Sequence, residues 1–503
     1  LARLQARMKL ASPDMVASIG DIFTFLVDSE DQMLVLIQYI DAPATRPSLP
    51  SQGDVEFGFV LYWLHNPPPE VTALLDDYPP LKFAFHLLAA LAPQTQITTP
   101  QYNQLIGDLG EYGLPWNDGT IYGRKYKYQQ LDPYWMLAAL NYAVNMLDPG
   151  LVHPFPPNPN PAPQPIALTR KDGTAADPVL GIIGDWGTGY YVDQGGALCP
   201  AQRVMSQITD PVKSPAIDYL IHLGDVYYAG TELRPLPGEE QENFYSLWPN
   251  QGPGRNFTLN SNHEMYGAAS GYFDVALQAN GLFAAQQGMS YFAMTYGPWL
   301  ILCLDSAYYS DAANGMEFYM AGGIAGPTAQ QEQQLGWLAQ FQSHQGPIMV
   351  MTHHTGCDVP SGQINSLYSQ VLTALQRPPT LWYWGHAHNG IVYETMNDFT
   401  TIPVITYPTL GRCCGHAAIP FGNAWGLQDD QGNNLPNIAY YAHTADPALP
   451  DTGGSPPLNP RVRNGYALVT LHTDGGFTEA FYETDVTTPL YQRTWTAGEL
   501  PGA

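Results

Sequence analysis

The sequence predicts an α/β fold preceded by a mainly helical amino-terminal region. Short apolar runs ending in polar, glycine-containing loops alternate with helical stretches from about residue 177 onward. A proline-rich stretch separates that pattern from an earlier part with helical patterning. At 503 residues the chain has room for about three domains or one large one. Its hydrophobic share of 45% is ample for a core and too high for a disordered chain.

Residues 1–150 read mainly as helices. Spaced apolar positions run from Pro13 to Ile40, and Pro80 to Ala92 is nearly continuous in apolar residues. Asp132 and Pro133 supply an N-cap and a first-turn proline ahead of a run that Pro149 and Gly150 end. His153 to Pro165 reads HPFPPNPNPAPQP. Proline fixes φ and lacks the N–H, so residues 151–166 are expected to form a polyproline-like linker. The α/β domain is expected over 167–486, with a carboxyl-terminal tail over 487–503. Its buried strands are read in PVLGIIGDWG, AIDYLIHLGDVYY, GPIMVMTHH and PTLWYWGHAHNG. A hairpin is read through Gly297-Pro298, and helices in AQRVMSQITD and QEQQLGWLAQFQS.

The charge excludes some partners. Lys plus Arg is 19 and Asp plus Glu is 45, a net charge of −26. Such a polyanion has few cations to exchange for counterions, so nucleic acid is not expected as a stable partner. No apolar run is long enough for a transmembrane segment. The chain starts at Leu1, so a processed or truncated form lacking its targeting peptide is expected. The acidic, Lys-poor composition, rich in Tyr, Asn, Pro and Gly, suggests a secreted or periplasmic location.

Five segments hold oxygen and nitrogen donors, four of them after predicted strands, where loops converge in α/β sheets. They are Gly184-Asp185-Trp186-Gly187, Gly224-Asp225-Val226-Tyr227-Tyr228, Asn262-His263-Glu264, Val350-Met351-Thr352-His353 and Gly385-His386-Ala387-His388. Each alone is a weak signal. Together they offer carboxylate, phenol, amide and imidazole donors without thiolate, a set suited to hard or borderline ions. One aspartate can bridge two cations roughly 3.5–4 Å apart, the spacing used in two-metal phosphoryl chemistry.

Asp-x-Gly, Gly-Asp-x-x-Tyr, Asn-His-Glu, Val-x-x-His and Gly-His-x-His, in that order, resemble the calcineurin-like metallophosphoesterases. Within them the resemblance is to the purple acid phosphatases, and it covers roughly residues 177–485. It implies a β-sandwich flanked by helices and two metal ions, Fe(III) with Fe, Zn or Mn. One ion would be held by Asp185, Tyr228 and His388 with Asp225 bridging. The other would take Asp225, Asn262, His353 and His386. The resemblance further implies hydrolysis of phosphate esters, monoesters above all, by a metal-bound hydroxide. His263 would orient the substrate or protonate the leaving group. Gly187 stands where many relatives have histidine, and Ser261 where they have glycine. The motif spacing selects Tyr228 over Tyr227 and His353 over His354, and Glu264 reads as a supporting or structural acceptor in preference to a catalyst.

Arg412 and His416 lie where relatives carry a loop near the site, and both are candidate substrate contacts. Other positions have plainer readings. His222 reads as a hydrogen-bonded strand residue, Cys413 and Cys414 as two buried thiols or a strained disulfide, and Asn256-Phe257-Thr258 as a chance glycosylation triplet. His65, His86 and His153 have no companion ligands. Two further readings stay open. One is a phosphodiesterase, nucleotide or phospholipid hydrolase with the helical region as a selecting cap. The other is a structural protein that self-associates through that region. Bound cations dominate the local field and distant acids are screened beyond roughly 8 Å, so the net charge does not exclude a small phosphorylated substrate.

Overall fold

The computed structural model describes residues 149–500, apart from 158–163, 192–197, 232–237, 311–318, 327, 329–331, 419–421, 424–425, 430 and 446–460. It also describes scattered positions between 65 and 145, among them the helical residues Ala138, Asn141, Tyr142 and Asn145. The expected helical character of residues 1–150 therefore lies mostly outside the described residues.

The described chain is a mixed α/β fold with two large sheets and few helices. Its first strands are β1 (Ile166–Ala167), β2 (Val179–Ile183), β3 (Tyr219–His222), β4 (Asn256–Thr258), β5 (Phe292–Tyr296) and β6 (Trp299–Cys303). Then come β7 (Ile348–Thr352), β8 (Leu381–Trp384), β9 (Gly390–Tyr393), β10 (Met396–Asp398), β11 (Ile405–Tyr407) and β12 (Leu410–Cys414). The last are β13 (Gly422–Asn423), β14 (Ile438–Tyr441), β15 (Arg461–Val462), β16 (Gly465–Leu471), β17 (Phe477–Glu483) and β18 (Tyr491–Trp495). An eight-stranded sheet has the order β1-β5-β6-β7-β8-β12-β9-β14, and a six-stranded one β18-β17-β16-β2-β3-β4. β2, β3 and β4 run parallel, as do β6, β7, β8 and β12.

The two sheets pack face to face. Ile182, Ile221, Val469 and Phe481 of one share a core with Met294, Ile301, Met351 and Tyr383 of the other. Helices cover the outer faces. α1 (Pro200–Ile208) lays Ala201, Val204, Met205 and Ile208 on the six-stranded sheet. α3 (Gln333–Ala339) and α4 (Ser366–Leu375) cover the eight-stranded one. α2 (Asn262–Tyr266) is a short turn after β4. Coverage on both faces is why β2, β3, β6, β7 and β8 are continuous apolar runs without a polar alternation. Among the described residues no helix is long and apolar enough to cross a membrane.

The expected segment boundaries differ from the structure at two places. The described start of the proline-rich linker is packed on the fold: Phe155 packs against Tyr291, Tyr308 and Tyr309, and Tyr308 donates to the His153 carbonyl at 2.6 Å. The last residue of that stretch, Ile166, already pairs with β5. Residues 491–495 are no tail, because β18 completes the six-stranded sheet against β17. The hairpin through Gly297 forms as expected, with Gly297 at φ 52°.

Candidate metal centre

The parallel strands decide where the donors meet. Asp185 lies just past β2, Asp225 just past β3, His353 directly after β7 and His386 just past β8, while Asn262 opens α2. Both sheets thus deliver their carboxyl-terminal loops to one edge of the sandwich, where Asp185 Oδ2 accepts from the His386 amide at 2.9 Å. Three of these residues, Asp185, Asp225 and His386, sit at φ 59°, 81° and 63°. Non-glycine residues in that left-handed region are strained, by about 1–3 kcal/mol each, and such strain clusters at functional sites. Gly224 is needed beside them: it has φ 100°, and a Cβ there would lie 2.9 Å from His353 Nδ1.

The donors form two adjoining groups that share Asp225. In one, Tyr227 Oη lies 2.8 Å from Asp225 Oδ2, 3.4 Å from Asp185 Oδ1 and 3.0 Å from His388 Nε2. In the other, His353 Nε2 lies 2.8 Å from Asn262 Oδ1, 3.2 Å from His386 Nδ1 and 3.2 Å from Asp225 Oδ1. His353 Nδ1 is 2.9 Å from the Leu223 carbonyl and donates its N–H there. That fixes the tautomer and leaves the Nε2 lone pair facing the carboxylate and amide oxygens. Lone pairs converging at such distances repel unless a proton or cation lies between them. Asp185, Asp225 and His353, and likewise His353, His354 and His386, bring ligand atoms within 4.8 Å of one another, and such oxygen and imidazole donors suit a hard or borderline cation.

Burial sets the protonation states. It pushes His386 well below the ordinary imidazole range, reinforced by His354 and His353, and brings His388 down to about 4. These rings are neutral at pH 7 and free to ligate. Burial and the adjacent Asp225 charge push Asp185 well above the carboxylate range. Burial, with both aspartates, raises the Tyr227 phenol. A bound cation draws carboxyl and phenol the other way.

The phenol at the site belongs to Tyr227, not to the expected Tyr228. The turn after Asp225 directs the Tyr227 hydroxyl to the carboxylates, and the rings of both Tyr227 and Tyr228 pack in one apolar cluster with Ala138, Tyr142, Ala229 and Tyr266. Tyr228 contributes its carbonyl, 2.7 Å from His263 Nδ1. That bond fixes the His263 ring with Nε2 3.8 Å from Asp225 Oδ2, outside both donor groups. His354 is engaged elsewhere, with Nδ1 2.9 Å from Ser306 Oγ and Nε2 2.6 Å from the Tyr319 carbonyl. Gly187 could not carry a histidine side chain, since a Cβ there would lie 2.7 Å from the Asp225 carbonyl oxygen.

Ser261 takes a part that the motif did not suggest. The Ser261 hydroxyl hydrogen-bonds both the Asp225 and the Glu264 carboxyl groups, and it accepts from the His263 amide at 3.0 Å. One hydroxyl proton cannot serve two carboxylates. Burial and Asp225 push Glu264 up to about 8, which eases the competition for that proton. Glu264 is thus a supporting carboxyl group against Ser261, as expected from sequence.

Both candidate substrate contacts are overturned by burial. Arg412 lies in β12 with no exposure, and its Nε and Nη2 each lie 2.7 Å from a Glu479 carboxylate oxygen. Its Nη1 donates to the Tyr393 and Gly411 carbonyls, so the guanidinium is turned to these partners inside the fold and not to a substrate. His416 is fully buried, its ring pressed against Gly390 and Gly465, where added Cβ atoms would lie 2.6 Å away. Burial brings it down to about 3, and neither ring nitrogen has a partner among the described residues. Asn256 is buried in β4 and its Oδ1 accepts from Trp248 Nε1 at 3.0 Å, a position with no room for a glycan in this fold. His222 is a buried strand residue bonded to Thr258, and all five cysteines are buried free thiols.

The amino-terminal region reaches this site, a contact that sequence reasoning missed. Asn145 Nδ2 donates to the Tyr266 carbonyl at 2.7 Å, and the rings of Tyr142 and Tyr266 meet edge to face at 6.2 Å. No local pattern announces a contact across 121 residues.

No family model matches this sequence, and no curated protein matches it. Its fold overlaps in part with solved structures. GAP50, the anchor in the inner membrane complex of Plasmodium, is 10% identical with a TM-score of 0.39, over 64% of this chain and 89% of that one. PhoD is 12% identical with a TM-score of 0.36, over 67% of this chain and 70% of that one. The purple acid phosphatase PPD1 from yellow lupin (Lupinus luteus) seeds is 13% identical with a TM-score of 0.42, over 67% of this chain and 55% of that one.

Proposed function

We propose that the protein hydrolyses small phosphate esters, monoesters in preference to diesters, at a dinuclear metal centre that shares Asp225. The observation that carries this reading is the convergence of phenol, imidazole, amide and carboxylate groups on the two sides of that one carboxylate. Cations bound there supply positive charge for the phosphoryl oxygens and make a water nucleophilic near neutral pH. The chain's own residues do the rest. Asp185, Tyr227 and His388 hold one side and Asn262, His353 and His386 the other. Glu264 and Ser261 keep Asp225 in place by hydrogen bonds. His263, anchored through Nδ1 to the Tyr228 carbonyl, presents Nε2 where a leaving oxygen would need a proton. His386 and His388 are the partly exposed members, His388 with its side chain 27% exposed, while His263 is buried at their edge, so substrate approaches from the side of His386 and His388. The phenol of Tyr227 favours a ferric ion on its side, with iron, zinc or manganese on the other.

The test is hydrolysis of p-nitrophenyl phosphate and its bis-ester by the full chain loaded in turn with iron–zinc, iron–manganese or di-iron. The reading predicts metal-dependent turnover, faster on the monoester and abolished by a chelator. Faster turnover of the bis-ester would move the reading to a phosphodiesterase. A chain that carries two ions and hydrolyses neither ester would refute it in favour of a binding or assembly role.

A further inference from the structure

Asn262 is the one neutral amide in the donor set, and an amide ligates only through oxygen. Turned by 180° it would keep its shape and present an N–H to the ion instead. In the structure Oδ1 faces His353 and His386, while Nδ2 donates to Tyr266 Oη at 3.1 Å and lies 3.6 Å from Met320 Sδ. Tyr266 thus gives the amide a reason to stay in the ligating orientation. Tyr266 ends α2, which is only five residues long. A single turn has no stability of its own, because nucleation costs more than one turn of hydrogen bonds returns. Its position must come from outside.

That support comes from the amino-terminal region. The helical residues Ala138, Tyr142 and Asn145 are spaced for one face and are all buried. Asn145 bonds the Tyr266 carbonyl, Tyr142 packs edge to face on the Tyr266 ring, and Tyr319 closes the same cluster against Tyr142 at 5.7 Å. On the other side, a Cβ at Gly267 would lie 2.1 Å from the Ala229 carbonyl oxygen, so the end of α2 is seated directly against the chain that follows Tyr228. Resting on the metal-centre reading above, we propose that Tyr266 is a positioning residue for Asn262. The helical segment bearing Tyr142 and Asn145 is its buttress, so the amino-terminal region sets the affinity of the Asn262–His353–His386 site.

The experiment is a zinc titration of the metal-stripped full chain, read as two separate dissociation constants, alongside thermal unfolding of the stripped protein. Tyr266→Phe keeps the ring and removes only the hydroxyl. Its expected effect is a loss of about 10–100-fold in affinity for one ion, with the other unchanged. Asn145→Ala, remote from both ions, is expected to weaken the same ion on the order of fivefold. A packing role alone would lower the unfolding temperature and leave both constants where they were. Wild-type values for both ions in Tyr266→Phe overturn this proposal and leave the metal-centre reading standing. If that variant fails to fold, unchanged constants in Asn145→Ala have the same force. A wild-type chain that binds no zinc overturns both.

Discussion

Replacing Asp225 with asparagine abolishes metal loading and lowers turnover by at least on the order of a thousandfold. Asp225 is the only side chain in both donor groups, with Oδ2 against Tyr227 and Oδ1 against His353. Asparagine keeps the shape, but it removes the charge that both cations need and can turn N–H donors toward one group. Stability falls too. Burial raises the Asp225 carboxyl, but the neighbouring His263 and His353 and the hydrogen bond from Asp185 outweigh it and hold Asp225 well below the ordinary carboxylate range, so its charge stabilises the metal-free fold at neutral pH. The variant is therefore expected to unfold, without metal, at a lower temperature than the wild type. Elemental analysis, a phosphatase assay and thermal unfolding of one preparation check all three statements. Retained metal and activity in Asp225→Asn would refute the bridging role.

Arg412→Met has the largest expected effect on the fold. The guanidinium is fully buried, and the Glu479 carboxylate keeps it charged where burial alone would lower its pKa. Glu479 also accepts from Tyr383 Oη at 3.0 Å and Trp495 Nε1 at 3.2 Å, so the pair ties β8, β12, β17 and β18 together across the sandwich. Removing one partner strands a buried charge, which typically costs about 3–5 kcal/mol. Adding Glu479→Gln to Arg412→Met should restore part of that loss. Chemical denaturation of the wild type, the single and the double variant reads out the coupling. Turnover per folded molecule should be unchanged in the single variant. A fall in turnover with the fold intact would return Arg412 to the substrate site.

These two residues show what the sequence could and could not tell. Asp225 was legible because a buried strand ending in glycine and an acid puts that acid on a sheet's carboxyl-terminal edge. The same logic found Asp185, His353 and His386, and the ordered Asn-His-Glu segment added Asn262. Arg412 was misread because nearness in sequence to a site loop says nothing about which face of β12 a side chain takes. Tyr227 and Tyr228 differ by one position in a turn, where motif spacing does not determine which ring faces the ions. Ser261 looked like a minor departure because its hydroxyl acquires a role only once Glu264 and Asp225 are seen on either side of it. The contact between Tyr142 and Tyr266 joins segments far apart in the chain, and nothing local encodes it. The strand order that brings β2 and β3 opposite β7 and β8 was likewise beyond a reading of periodicity.

The central claim is that loops from both sheets hold two cations on either side of Asp225. Anomalous diffraction from crystals of the metal-loaded full chain tests it most directly. The account predicts two peaks about 3.5–4 Å apart, one beside Asp185, Tyr227 and His388 and the other beside Asn262, His353 and His386. Metal-saturated crystals with no peak at Asp225, or with Asp185 and His388 turned away from Asn262 and His353, would contradict it.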